Sequence, residues 1–348
     1  MALRVLFVGV VTFCSGIFPV LGPADDAPQP VVLIVRTAGG NVRVKHPDWL
    51  GSLPAFPGMM LLPADILTGD TDSSVDVVCA DINLSTVHLD RQRRIPLTCS
   101  ASEQLMEYQH HPVMAMRGGG AGAYPMVLSP RRSKLLSPRP RLIWTKVPGA
   151  SRYDLSLRSG RDEWTFQTAS TSIDFPSAWP NLSAGRSYHL IVKTGQNSSE
   201  AEGASHVGFE LLDADSADQV RTVQLKIRSL AAAPDDVKTL LIAYLFQAKG
   251  LNAEGTAFLE QLSNRSPREA LLLGEFYVCS RLLRQAEAAF KEAAQSAQQE
   301  GDIGTAAEAL HREITVMSAQ GESQSEAIQR LKLLAENLAP PSWFSSSD

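Results

Sequence analysis

Cysteine is scarce: there are four in 348 residues, and none sits in a Cys-x-x-Cys. That excludes a zinc ribbon, a thioredoxin-like redox pair and a disulfide-dense small scaffold. An excess of one charge is lacking too. With 32 Lys and Arg against 37 Asp and Glu the formal net charge is −5, without the basic domain by which a nucleic-acid binder neutralises phosphates. Beyond residue 22 no apolar run approaches the ~20 residues a membrane-spanning helix needs. Catalytic signatures are missing as well: no Gly-x-Ser-x-Gly, no His-Glu-x-x-His and no Ser-x-x-Lys.

Several suggestive stretches lack the partner that their chemistry requires. The adjacent pair His110 and His111 has no further Cys, Asp or Glu at ligand spacing, so it reads as a solvated loop. His311 lacks a second histidine, and the glycine run within 114–124 lacks the Gly-Lys-Ser/Thr ending of a phosphate loop. Asp65, Asp70, Asp72 and Asp76 lack the calcium-loop pattern and read as turn acids. Neither a metal nor a cofactor is expected.

What is present begins with Arg4 followed by an apolar run, Val5 to Leu21, broken at Gly16 and Pro19. This predicts a secretory signal peptide over residues 1–24, hence a periplasmic or secreted chain with no transmembrane helix once it is cleaved. In such an oxidising compartment Cys79 and Cys99, which flank a strand-like pair, are candidates for a disulfide; two unpaired buried thiols are the alternative. Cys279 lies on an apolar helical pattern and reads as a core thiol.

Residues 31–100 hold short apolar runs (Val31 to Val35, Val42 to Val44, Met59 to Leu62, Val75 to Val78, Leu84 to Leu89) between turn residues, which predicts an all-β domain. Gly40-Asn-Val-Arg-Val44, then Pro63-Ala-Asp-Ile-Leu-Thr-Gly69, then Ser73 to Val78, resembles the extracytoplasmic FecR-like domain. Ala64 stands where that family has Gly. The resemblance implies a β-rich envelope module; the cytoplasmic segment that serves that family's signalling is missing.

Residues 101–138 read as a Gly/Pro-rich linker, and the basic run that begins in it and continues past its end, Arg131, Arg132, Lys134, Arg139 and Arg141, reads as solvated. Residues 139–212 then alternate as antiparallel strands: Leu142 and Trp144, Tyr153 to Leu157, Trp164 and Phe166, Tyr188 to Val192. Their order, with Pro-Gly-Ala150 and Leu182-Ser-Ala-Gly-Arg-Ser-Tyr188, resembles a fibronectin type III domain, although Ala184 replaces the usual proline. That implies an Ig-like β-sandwich acting as a spacer or presenting module.

From about Ser216 the period changes to 3.6 and holds to residue 339. Pro234 fits a first helical turn, Asn252 reads as a cap, and Ser266-Pro-Arg-Glu269 as a capping box. Leu273-Gly274-x-x-Tyr277 with Ala286-x-x-x-Phe290-x-x-Ala293 resembles a tetratricopeptide repeat, with a weaker copy around Ala243 to Pro267 and a third within Asp302 to Asn337. A helical bundle using the same stripes as core is the alternative.

The whole resembles a modular secreted bacterial protein, β then α. The favoured reading is a non-enzymatic envelope scaffold that binds a protein or peptide through its helical repeat, with Lys238, Gln247, Glu275 and Arg281 lining the groove. The second reading is an envelope glycan or anionic-polymer binder that uses Trp179 as a stacking platform with Arg131, Arg132 and Lys134. A third, an enzyme whose residues assemble only in space, requires a deep pocket holding perturbed titratable groups.

Overall fold

The computed structural model describes residues 29–30, 32–45, 51–62, 65–89, 93–94, 105–108, 111–113, 124–202 and 208–338. Residues 1–24, Cys99 and the glycine run fall outside them. A β region is followed by seven helices among the described residues, in line with the change of period along the chain. No described helix is long and apolar enough to cross a membrane.

The first β unit comprises β1 (Gln29–Pro30), β2 (Val32–Ala38), β3 (Arg43–Lys45), β4 (Leu53–Pro54), β5 (Met60–Leu61), β6 (Ile66–Thr68), β7 (Ser74–Val78), β8 (Leu84–His88) and β9 (Arg93–Arg94). Two antiparallel sheets, ordered β5-β2-β7-β8 and β4-β3-β6-β9, enclose Val32, Ile34, Val44, Leu67, Val75 and Val77. Turn chemistry explains the acids here: Asp65 accepts from the Leu62 N–H at 2.8 Å, and Asp70 from the Asn41 N–H at 3.2 Å. Asp76 pairs with Arg36 at 2.7 Å. On β2 the alternate residues Leu33 and Val35 are also fully buried, because they face helices rather than water. A strand covered on both sides reads as an unbroken apolar run, and Val31 to Val35 does. Cys79, at the end of β7, is buried in this core and is not a free thiol.

A short strand β10 (Glu107–Tyr108) pairs with β1. The second β unit holds β11 (Val127–Ser129), β12 (Ser133–Leu135), β13 (Leu142–Trp144), β14 (Tyr153–Ser159), β15 (Asp162–Thr168), β16 (Ser172–Ile173), β17 (Ser187–Thr194), β18 (Asn197–Ser198) and β19 (Phe209–Leu211). One sheet runs β11-β13-β16. The other runs β12-β19-β17-β14-β15, with β18 on β17. Trp144, Tyr153, Leu155, Leu157, Tyr188, Leu190 and Val192 fill the space between the sheets, as their alternation requires. The Ser183 N–H donates to the Tyr188 hydroxyl at 2.8 Å. This unit starts at Val127, inside the stretch read as a linker; β12 runs parallel to β19. Proline, serine and arginine there speak for solvent only when nothing else receives them, and here a helix end does.

The helices are α1 (Ala214–Arg228), α2 (Asp235–Ala248), α3 (Asn252–Glu260), α4 (Pro267–Cys279), α5 (Leu283–Glu300), α6 (Ile303–Gln320) and α7 (Ser325–Leu338). Each packs on the next, α2 also touches α4, and α4 also touches α6. The expected capping box closes on Ser266 and Glu269. Asn252 is not the cap of α3: Leu251 holds that position, and the Asn252 amide instead donates to the Arg132 carbonyl at 2.6 Å. Close approach of helices depends on glycine. A Cβ at Gly255 would lie 2.3 Å from the Phe276 ring, and one at Gly274 would lie 2.4 Å from the Phe290 ring.

Two tests are available, one of this packing and one of the disulfide expected from the sequence. Gly274→Ala should destabilise the chain by about 1–3 kcal/mol through overpacking, read as a lower denaturation midpoint; an unchanged midpoint would contradict the α4–α5 contact. Peptide mapping without reductant should recover Cys79 linked to Cys99, a bridge closing a ~19-residue loop and contributing roughly 3 kcal/mol. Two alkylatable thiols would exclude it.

Candidate functional site

The four helical residues expected to line a groove are not gathered on an open surface. Glu275 on α4 is fully buried and Gln247 on α2 nearly so. Lys238 is half-buried and pairs with Asp235 at 3.3 Å, while Arg281 follows the end of α4 with a left-handed φ of 55°. The exposed-groove reading of Glu275 and Gln247 is therefore corrected. Gln247 lies on α2 and Glu275 on α4, and neither is open to solvent.

Glu275 is covered by α6 and by an extended stretch of the same chain. Arg312 donates to both of its carboxylate oxygens, at 2.6 and 2.8 Å, and the guanidinium lies 5.7 Å above the Phe290 ring. Such bidentate charge-assisted pairs are the strong ones. The pair also grips main chain: the His111 N–H donates to Glu275 Oε2 at 3.5 Å, and Arg312 Nη2 donates to the His111 carbonyl at 2.9 Å. Before this clamp, Leu105 and Met106 are buried in the core that contains the α2 side chains. After it, Val113 packs against the core of α4, α5 and α6. The described parts of 105–113 thus cross α2, α4 and α6. His111 is not the solvated loop residue expected; His110 lies outside the described residues.

The basic residues of the second reading divide in two. Arg131 is 1% exposed, and its guanidinium donates to the Ser280 and Val127 carbonyls. Arg132 Nε donates to the Cys279 carbonyl at 3.0 Å. These helix-terminal carbonyls have no partner within α4, and cations there also meet the negative end of its dipole. Within the run read as solvated, Arg131 and Arg132 thus staple the sandwich to the end of α4. Arg132 and Lys134 also line a cleft of about 630 Å³ between the sandwich and the α2–α3 turn, together with Arg158, His189, Glu210 and Gly250.

Trp179 does not face solvent. It is 3% exposed, its indole N–H donates to the Thr165 carbonyl at 3.1 Å, and Phe175 and Phe166 stand edge-on to it. Thr165 belongs to the edge strand β15, so the loop between two prolines folds back to cover that edge. This overturns its reading as a stacking platform.

Burial raises the pKa of Tyr244, Tyr277, Cys279, Glu254, Glu269 and Glu313. None of them lines the cleft. Its own shifted groups, Arg132 and His189, are both lowered, chiefly by burial. No group of three or more His, Cys, Asp or Glu able to hold a metal ion occurs among the described residues. Compared with known proteins, the chain matches no family model and no curated protein.

Glu254 gives a pH test of the joint beside the cleft. Its Oε1 accepts from the Leu136 N–H at 2.7 Å, its Oε2 is buried without a partner, and burial pushes its pKa from 4.5 to about 7. A raised carboxyl favours the protonated folded state, so stability falls as pH rises from 4.5 to about 7 and the loss is complete above it. Glu254→Gln should flatten that slope and stabilise the chain above pH 7, by up to about 3 kcal/mol. Thermal melts across pH read this directly; an unchanged slope would count against it.

Proposed function

We propose that this chain is a non-enzymatic protein of the bacterial cell envelope, periplasmic or secreted, that binds a protein or peptide partner through its helical domain. The single observation that carries the reading is the Glu275–Arg312 clamp, which holds both main-chain groups of His111, in a stretch whose described parts lie across α2, α4 and α6. A face that grips the backbone is suited to an extended polypeptide whatever its side chains.

The module identities belong to the same proposal. A FecR-like first unit accords with Gly40 to Val44 entering β3, with Asp65 leading into β6, and with Ser74 to Val78 forming β7. A fibronectin type III-like second unit draws support from its two sheets and from the Tyr188 hydroxyl bound to the Ser183 amide. For tetratricopeptide-like pairing of α2 to α7 the support is the stacking of alternate helices and the Gly274–Phe290 approach.

Recovery of a partner from an envelope extract should fall about tenfold when Lys238→Glu and Arg281→Glu are combined, a loss of about 1.4 kcal/mol. Trp179→Phe, in the sandwich, should leave it unchanged. Recovery that ignores the helical substitutions and follows the sandwich one would overturn the reading.

A further inference from the structure

The cleft between the sandwich and the α2–α3 turn carries more positive charge than its own acids balance. Arg132, Lys134 and Arg158 line it, with Glu210 the one carboxylate among its lining residues. Lys134 approaches Glu210 only to 3.9 Å, both side chains being well exposed. Arg158 pairs with Glu163 at 3.0 Å and Glu200 at 3.5 Å, and exposed pairs of this kind exchange readily for a better anion.

Arg132 is different. One of its nitrogens caps the Cys279 carbonyl, and no carboxylate among the described residues pairs with its guanidinium. The charged side chains acting on it include Arg281 and Arg131, two more cations. A half-buried cation flanked by cations is unfavourable without a counter-charge. Its backbone is also unusual, with a left-handed φ of 47° that side-chain-bearing residues seldom adopt. The surroundings enforce it: the Asn252 amide binds the Arg132 carbonyl at 2.6 Å, and the Lys134 N–H donates to the Gly250 carbonyl at 2.9 Å. Strain of this kind persists where neighbouring structure holds it, often at ligand sites. Tyr188, His189 and Phe209 also line the cleft, and burial lowers the pKa of the half-buried His189.

We propose that this cleft binds a compact polyanion carrying two or more phosphate, sulfate or carboxylate groups, one held by Arg132 and the others by Lys134 and Arg158. A volume of about 630 Å³ lies in the range of small-molecule sites. The site is separate from the Glu275–Arg312 clamp that carries the proposed partner interaction.

Calorimetric titration of the full chain with inorganic tripolyphosphate at low ionic strength tests it. Saturable one-to-one binding that weakens with added salt is expected, with about tenfold loss on each of Lys134→Gln and Arg158→Gln and an unchanged melting temperature. Both side chains are exposed, so these variants should fold; Lys238→Glu should bind like the wild type. Absence of saturable binding at millimolar ligand would overturn the proposal. So would equal affinity in the Lys134→Gln/Arg158→Gln double variant, or orthophosphate binding as tightly as tripolyphosphate.

Discussion

Burial of α2 on every side is the constraint on which the rest of the molecule depends. From Leu240 to Gln247 every residue is buried, and a helix without a solvent face must be enclosed by other elements. The outer face of β2 supplies Leu33 and Val35, its sheet neighbours β5 and β7 supply Met60 and Val78, the 105–106 stretch supplies Leu105 and Met106, and α1, α3 and α4 supply most of the rest. The Pro57-Gly58 turn presses against it, so that a Cβ at Gly58 would sit 3.2 Å from Leu240. The first β unit and the helices therefore share one core. Cutting the chain ahead of α2 would leave the outer faces of β2 and β7 bare.

A second set of bonds ties the sandwich into the same body. The Arg131 and Arg132 guanidinium groups take up the last carbonyls of α4, while Ser133 Oγ accepts from the Ala253 N–H at 3.0 Å at the start of α3. One short turn thus satisfies orphan groups at both ends of neighbouring helices, which is why so polar a stretch is ordered and buried. The same turn sets the cleft, because it fixes where Arg132 and Lys134 stand against the α2–α3 turn.

Both candidate sites lie where units meet. The clamp on His111 arises because an extended stretch from the β region crosses the inner helices, and the cleft arises because the sandwich abuts the α2–α3 turn. The separate elements supply stiffness; their seams supply the irregular geometry and uncompensated charge from which recognition is built.

Periodicity by itself determined the β-then-α order, the alternating core of the second unit and the breaks between helices, because each depends on neighbours two to four residues apart. The capping box at Ser266 and the close approach at Gly274 were legible for the same reason. Tertiary structure alone decided which polar residues are inside. Glu275 and Trp179 carry the pattern of groove and loop residues, yet one is covered by Arg312 and the other by its bond to Thr165. Arg131 has the composition of a linker and the role of a helix cap. In each case the partner lies at least 14 residues away, at 37 for Glu275, 14 for Trp179 and 149 for Arg131, and burial is a property of such a pair that no local spacing encodes.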